Sequence, residues 1–414
     1  MNKKFLSIGT VLLIAFAVIF ASLYKIEQTS QADDSSSTII GVKNIVNANN
    51  KFAFDLYSEI DKHEERNIFY SPYSISAALA MTYEGARGKT ADEIKSVFYF
   101  PDKTLLRSNF AAIHNEINKK DKAYKLSTGN ALWIQQDYKL LEEYISIVEK
   151  YYGGKALNVD FVRETEKSRQ TINSFIEKQT NNKIKDLIPE GTIDASTRLV
   201  LTNAVYFKGL WMLEFDKTGT REHDFKITPE NVVKISMMHA GNDEAKFNYA
   251  DVGELQILEL PYKDEDISML ILLPKYSLDN ISSSLTLEKL EEWKNKMKKT
   301  NLDVYLPKLE FNAKYLMKEI LINMGMTDAF EFGNADFSGI DQTKDLFIGQ
   351  VIHQAFVKID EEGTEAAAAT AVGISITSAR LREIFMADHP FIFIIQENKT
   401  GNILFFGRVV DPRE

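Results

Sequence analysis

Six histidines, His63, His114, His223, His239, His353 and His389, are dispersed along the 414-residue chain, and no pair has the close spacing of metal ligands. The sequence contains no cysteine. This excludes thiolate catalysis, disulfides, Cys-ligated zinc, iron–sulfur clusters and a lipoprotein anchor on an N-terminal cysteine. No G-x-S-x-G elbow, H-E-x-x-H helix or G-x-G-x-x-G turn occurs. The nearest phosphate-loop candidate is Gly85-Ala-Arg-Gly88-Lys89-Thr90, but Tyr83 stands where that pattern needs its first glycine, so the run reads as a helix-ending turn. An exported hydrolase with a serine triad scattered in sequence stays open on spacing alone.

One segment breaks the local rules. Glu361-Glu-Gly-Thr-Glu-Ala-Ala-Ala-Ala-Thr370 is followed by Ala371 to Ser378, small or β-branched almost throughout, and the whole lies between two strand-like stretches. Propensity alone makes the alanines helical, with Thr364 as N-cap. Small side chains also fit between two existing strands without overpacking the core beneath, so the segment reads equally as a strand held in reserve.

The elements that must position such a segment follow from periodicity. Helical patterns occupy Asn47 to Ile60, Ser74 to Glu84 after Pro72, Leu141 to Tyr152 and Ser168 to Thr180. Strand-like stretches then dominate: Arg198 to Phe207, Leu255 to Leu260, Ser268 to Leu273, Asn301 to Leu306, Ala355 to Ile359, Pro390 to Ile395 and Ile403 to Val410. Segregated helices and strands predict an α+β fold rather than a doubly wound sheet. No second linker or repeat interrupts residues 40–414, which predicts a single domain there. With 44% hydrophobic and 26% charged residues the chain excludes wholesale disorder and a multi-pass membrane protein. A net charge of −10 disfavours nucleic acid as partner.

Lys3 and Lys4 precede an uncharged run from Phe5 to Tyr24, long enough as a helix to cross a bilayer core of roughly 30 Å. Residues 1–24 therefore read as a signal peptide or membrane anchor, with the remainder outside the cell. The best small-residue cleavage site, Ser30-Gln31-Ala32, lies some way beyond the run. Residues 25–39 read as a polar, solvated linker, and the folded domain is expected to start near Ile40. Sequons at Asn280 and Asn398 are candidate glycosylation positions.

A series of ordered motifs resembles the serpin family over essentially the whole domain. They are Asn67-Ile-Phe-Tyr-Ser-Pro-Tyr-Ser74, Tyr83-Glu-Gly-Ala-Arg-Gly-Lys-Thr90, Asn130-Ala-Leu-Trp133, Lys183-Ile-Lys-Asp-Leu-Ile-Pro189 and Leu199-Val-Leu-Thr-Asn-Ala-Val-Tyr-Phe-Lys-Gly-Leu-Trp211. Glu259-Leu-Pro-Tyr262, Ser268-Met269, Asp336-Phe-Ser-Gly339, His353-Gln-Ala355, Ala387-Asp-His-Pro-Phe391 and Phe405-Phe-Gly-Arg-Val409 continue the match. The resemblance implies three β-sheets, about eight or nine helices and an exposed reactive-centre loop. It implies no enzyme activity, no cofactor and a monomer. By the same resemblance, Ser71, Ser74, Asn203 and His353 form a polar cluster beneath the central sheet, and Trp211 marks the point where the loop first enters it. Gln354 departs from the family, where lysine is usual.

What the resemblance implies functionally is a suicide-substrate inhibitor of serine endopeptidases. The target protease cleaves the loop, and the severed arm inserts into the sheet before the acyl-enzyme can be hydrolysed. By the resemblance Glu361, Gly363, Thr364, Ala366, Ala367, Ala368 and Ala369 are the hinge, and Gly363, Thr364 and Ala366 to Ala369 match inhibitory members, with no proline or charge among them to obstruct insertion. Family spacing places the reactive bond at Thr377-Ser378, suited to an elastase-like or subtilisin-like protease, with Arg380-Leu381 as the trypsin-type alternative. A non-inhibitory member acting as a binding or carrier protein is the other reading within the family.

Overall fold

The computed structural model describes residues 31–119, 122–241, 245–364 and 382–414. Six longer helices come from the first half: α1 (Ile39–Asp61), α2 (Pro72–Gly85), α3 (Gly88–Phe98), α4 (Lys103–Ile117), α5 (Glu142–Tyr152) and α6 (Thr165–Gln179). Four short ones follow, α7 (Leu278–Ser282), α8 (Leu287–Lys294), α9 (Lys318–Asn323) and α10 (Ser338–Asp341), making ten among the described residues. Helix starts follow side-chain caps. Thr38 caps α1 by accepting from the Gly41 N–H at 3.0 Å, and Ser71 caps α2 through the Ser74 N–H, with Pro72 at the first helical position. Every residue of α2 is buried, because it packs between β-sheets, against the strands that carry Leu199 to Leu210 and Ile403 to Val409.

The strands run in chain order β1 (Ile68–Tyr70), β2 (Tyr124–Thr128), β3 (Ala131–Gln135), β4 (Lys155–Val159), β5 (Leu199–Leu210), β6 (Arg221–Lys226), β7 (Val232–Ala240), β8 (Lys246–Asp251) and β9 (Leu255–Pro261). Then come β10 (Ile267–Pro274), β11 (Lys298–Pro307), β12 (Leu309–Leu316), β13 (Ile348–Ile359), β14 (Gly363–Thr364), β15 (Glu383–Met386), β16 (Phe391–Glu397) and β17 (Ile403–Val409). Seven of them form one sheet in the order β12-β13-β14-β5-β3-β4, with β2 also on β5. The other ten form two sheets sharing β11, which pairs with β8 along 298–301 and with β7 and β15 along 302–307. The expected α+β architecture of three sheets with surrounding helices is the one observed.

The seven-stranded sheet positions the site. Its central β5 is 12 residues long and buried along nearly its whole length. It runs parallel to β13 through eight residue pairs, from Leu199 with Ile348 to Tyr206 with Phe356. The outer face of this sheet lies under α6 and the chain that follows it, where Ile172, Ile176, Ile184, Leu187 and Ile188 pack on Trp133, Val200, Ala204 and Ile352.

Two expectations are corrected by packing. The solvated linker stops short of residue 32: Ala32 is only 4% exposed and lies against α4 and α5, so ordered packing begins before Ile40. Helix α1 begins at Ile39, eight residues before Asn47, because Thr38 supplies a cap that outweighs the missing apolar stripe in the first turns.

Candidate functional site

At one end of the parallel pair, beyond Tyr206 and Phe356, β5 and β13 are no longer joined to each other. There β14 lies between them, with Thr364 opposite Gly209 of β5 and Ile359 of β13, and Gly363 opposite Leu210. Only glycine fits at 363, since a Cβ would stand 2.1 Å from the Gly209 carbonyl oxygen and 2.7 Å from Leu210 Cα. Thr364 is fully buried, and its hydroxyl shares a 2.7 Å hydrogen bond with the Tyr262 hydroxyl. Tyr262 in turn stacks on Trp211, ring centroids 4.5 Å apart and 19° between planes. Burial pushes the Tyr262 hydroxyl far up its titration range, so it stays protonated and able to donate.

The short turn leading into β14 is fastened on both sides. Trp211 Nε1 donates to the Asp360 carbonyl at 3.0 Å, and the Trp211 N–H to the Glu362 carbonyl at 2.9 Å. Asp360 Oδ1 accepts from the N–H groups of Glu362 and Gly363, and burial raises the pKa of that carboxyl. Glu361 accepts from Lys308 Nζ at 2.8 and 3.1 Å and from the Thr220 hydroxyl at 2.7 Å. Burial works to raise the Glu361 pKa, but the bonds from Lys308 and Thr220 outweigh it and the net shift is downward. Glu362 pairs with Lys217.

Below this wedge the sheet is closed by buried polar bonds. His353 of β13 lies directly opposite Asn203 of β5, and its Nδ1 is bonded to Asn203 Oδ1 across the strand pair. The Ser71 N–H donates to His353 Nε2 at 3.1 Å, which fixes the neutral tautomer with the proton on Nδ1. Complete burial holds the His353 pKa down at about 3. Asn203 Nδ2 donates to the Ser74 carbonyl at 2.7 Å, the Ser74 hydroxyl at 2.6 Å and Asn130 Oδ1 at 2.5 Å. The Ser71 hydroxyl donates to the Leu404 carbonyl at 2.6 Å, joining β17 to the same network.

Two buried groups, one on the sheet and one on α2, are less well satisfied. Gln354, on the outer face of β13, donates through Nε2 to Asn312 Oδ1 at 3.2 Å, but its buried Oε1 has no partner among the described residues. The Tyr73 hydroxyl on α2 is likewise buried without one. Such orphans typically cost about 1–3 kcal/mol each.

Of the sequence candidates, Ser71, Ser74, Asn203 and His353 are drawn into one network, and Trp211, Glu361, Gly363 and Thr364 into a second. Ala366 to Ala369, Thr377, Ser378, Arg380 and Leu381 lie outside the described residues, as does the apolar run 5–24. Sequence reasoning passed over Asn130, Tyr262, Asp360, Lys308 and Lys217 as site residues. Asn130 and Tyr262 stand inside motifs already quoted. Both sequon asparagines are exposed, but Asn398 Nδ2 is engaged with the Glu265 carbonyl at 2.7 Å, a bond that a glycan on that nitrogen would displace. No group of His, Asp and Glu among the described residues has the arrangement of a metal site.

The two networks flank a buried parallel strand pair that is joined by a cross-strand histidine bond and parted at one end by β14. The chain belongs to the serpin family: the family model described as "Serpin (serine protease inhibitor)" matches residues 47–412. An uncharacterized serpin-like protein of Methanosarcina acetivorans is 44% identical, over 93% of this chain and 91% of its own. The leukocyte elastase inhibitor of Xenopus laevis is 40% identical, covering 90% of this chain and all of its own. Among solved structures, human thyroxine-binding globulin superposes with a TM-score of 0.83 at 30% identity, over 90% of this chain and 100% of its own.

Proposed function

We propose that the protein is a suicide-substrate inhibitor of serine endopeptidases that acts outside the cell. The observation that carries this reading is β14, wedged between β5 and β13 with Thr364 buried. The protease serine attacks the Thr377 carbonyl, the Thr377-Ser378 bond breaks, and the new amino group at Ser378 departs while Thr377 stays esterified to the enzyme. The freed arm continues the path that β14 begins. Fourteen residues at about 3.3 Å each would carry the tethered protease roughly 45 Å along the sheet.

The energetic direction follows from strand polarity. β14 is antiparallel to both neighbours, so a full insert replaces one parallel ladder with two antiparallel ones, the more stable kind. At about 0.5–1.5 kcal/mol net per added hydrogen bond, roughly ten bonds give on the order of 10 kcal/mol. Breaking the His353–Asn203 bond and shifting α6 oppose insertion, which is how the closed state persists before cleavage.

Thr377 suits an elastase-like or subtilisin-like enzyme, and a 40%-identical relative named as an elastase inhibitor supports that preference. The alternative bond after Arg380 lengthens the arm by three residues and slackens the pull, which favours hydrolysis over trapping. Incubation with elastase-, subtilisin- and trypsin-like proteases tests the reading. An SDS-resistant complex with the first two, and cleavage at Arg380 without a complex by the third, is expected. Cleavage without a complex by all three would instead support a non-inhibitory binding protein. Complexes lost in Arg380→Ala but kept in Thr377→Ala would move the reactive bond to Arg380.

A further inference from the structure

Residues 32–38 are built into the fold at three points. The Ala32 N–H donates to Asn115 Oδ1 at 2.9 Å and its carbonyl accepts from Asn115 Nδ2 at 2.8 Å, so one side chain of α4 satisfies both backbone groups. The Asp33 N–H donates to the Lys150 carbonyl in the last turn of α5 at 2.8 Å, and the Asp33 carboxylate pairs with Lys150 Nζ at 2.9 Å. The Thr38 N–H donates to Asn109 Oδ1 at 2.9 Å, and α1 lies so close there that a Cβ on Gly41 would stand 2.3 Å from that same oxygen. A solvated spacer needs none of these partners. Backbone groups with dedicated side-chain partners mark a segment that belongs to the folded protein.

A peptidase reading Ser30-Gln31-Ala32 would cut after Ala32 and remove the residue that Asn115 holds. We propose that the mature protein keeps Ala32, that the run Phe5 to Tyr24 stays joined to it as a membrane anchor, and that the strap 32–38 turns the α1–α4–α5 corner of the domain toward the bilayer. This rests on reading that run as an export element. From Tyr24 to Ala32 the chain can reach at most about 30 Å, so the corner stays close to the lipid surface. The same corner carries Ile39, Ile40 and Leu105, exposed by 90%, 75% and 59%. Asn109 ties together the two segments that carry them, binding the Thr38 N–H and donating to the Leu105 carbonyl at 2.6 Å. Large apolar side chains beside an arriving anchor suit the headgroup boundary of a membrane.

The test uses the full chain with its own N-terminus in a secreting bacterial host, with membranes washed in alkaline carbonate, intact mass measured, and protease added outside spheroplasts. The expected result is a carbonate-resistant chain whose mass includes Ala32 and the residues before it, and whose domain is open to protease from outside. A soluble external chain would overturn the anchor, and one beginning at Asp33 would overturn the retention of Ala32 as well; either result leaves the export reading standing. A membrane-bound chain shielded from external protease would overturn the export reading instead. For the strap itself, Asn115→Ala should accelerate cutting within 32–38 by on the order of tenfold, with Asp33→Ala as a second, independent variant. Unchanged cutting in both would overturn the docking.

Discussion

Thr364→Arg places a cation at the most enclosed position of the wedge. The native side chain is fully buried, its one polar atom is satisfied by Tyr262 at 2.7 Å, and Trp211 closes the space behind that ring. The carboxylates of the adjoining turn are already engaged, Asp360 by the Glu362 and Gly363 N–H groups, Glu361 by Lys308 and Thr220, Glu362 by Lys217. An unpaired buried charge costs about 3–5 kcal/mol. Thr364 already sits inside the sheet before cleavage, so the arginine drives β14 out of the wedge and its re-entry, the first step of insertion, meets that cost; at about 1.4 kcal/mol per tenfold in rate the step slows by roughly 100- to 4000-fold. Hydrolysis of the acyl-enzyme then wins, and the variant is cleaved as a substrate. The assay is the ratio of SDS-resistant complex to cleaved chain after reaction with an elastase-like protease. Thr364→Ser, which keeps the hydroxyl for Tyr262, serves as control and should inhibit like the natural chain. A Thr364→Arg variant that forms complex in natural yield would refute the reasoning that early insertion passes through this site.

Acid should loosen the closed sheet. The fold buries neutral His353 with a pKa of about 3, whereas the unfolded chain binds the proton near 6.5, so its stabilising share is complete above pH 6.5 and shrinks as pH falls toward 3. At pH 5 that share is smaller by about 2 kcal/mol, and His114, lowered by burial to about 4, adds a loss of the same sign. Denaturant unfolding at pH 7.5 and pH 5 should show the drop, and His353→Gln should flatten it; an equal slope in the variant would contradict the assignment. Gln354→Leu removes the orphan Oε1 and releases only the exposed Asn312, so it should stabilise the closed sheet by about 1 kcal/mol and slow complex formation. A destabilised variant would show that the amide has a partner after all.

The sheet strands rich in β-branched and aromatic residues were legible in the sequence, yet β13 was read only from Ala355. Its first seven residues include Gly349, Gln350, His353 and Gln354, polar or small positions that no apolar pattern marks, and His353 is buried there because Ser71 and Asn203 satisfy both of its ring nitrogens. Strand β12 escaped notice because its alternate residues Glu310, Asn312 and Lys314 face outward at the sheet edge. The buried polar residues Ser71, Ser74, Asn203 and His353 are up to 282 positions apart, and only family motifs connect them before folding does. The residues alone did not decide the wedge of Gly363 and Thr364; only the family resemblance marked them as hinge and Trp211 as the point of entry. Helix propensity and strand insertion competed evenly for that segment, and the contacts that decide it come from Gly209, Tyr262 and Trp211, about 100 to 155 residues upstream by their own numbering. The strap at 32–38 was hidden for the opposite reason: its Ser and Asp composition is that of a linker, and only the asparagines of α4 and the end of α5 give it a place.

The claim on which the mechanism stands is that the sheet still has a strand to gain. Thermal unfolding of the chain before and after a single cleavage within 371–378 tests it most directly. Added ladder bonds worth on the order of 10 kcal/mol, set against an unfolding entropy of about 2.1 cal/mol/K per residue, correspond to a rise in Tm of roughly 10 °C or more. A cleaved chain that melts at or below the temperature of the intact one would contradict the account.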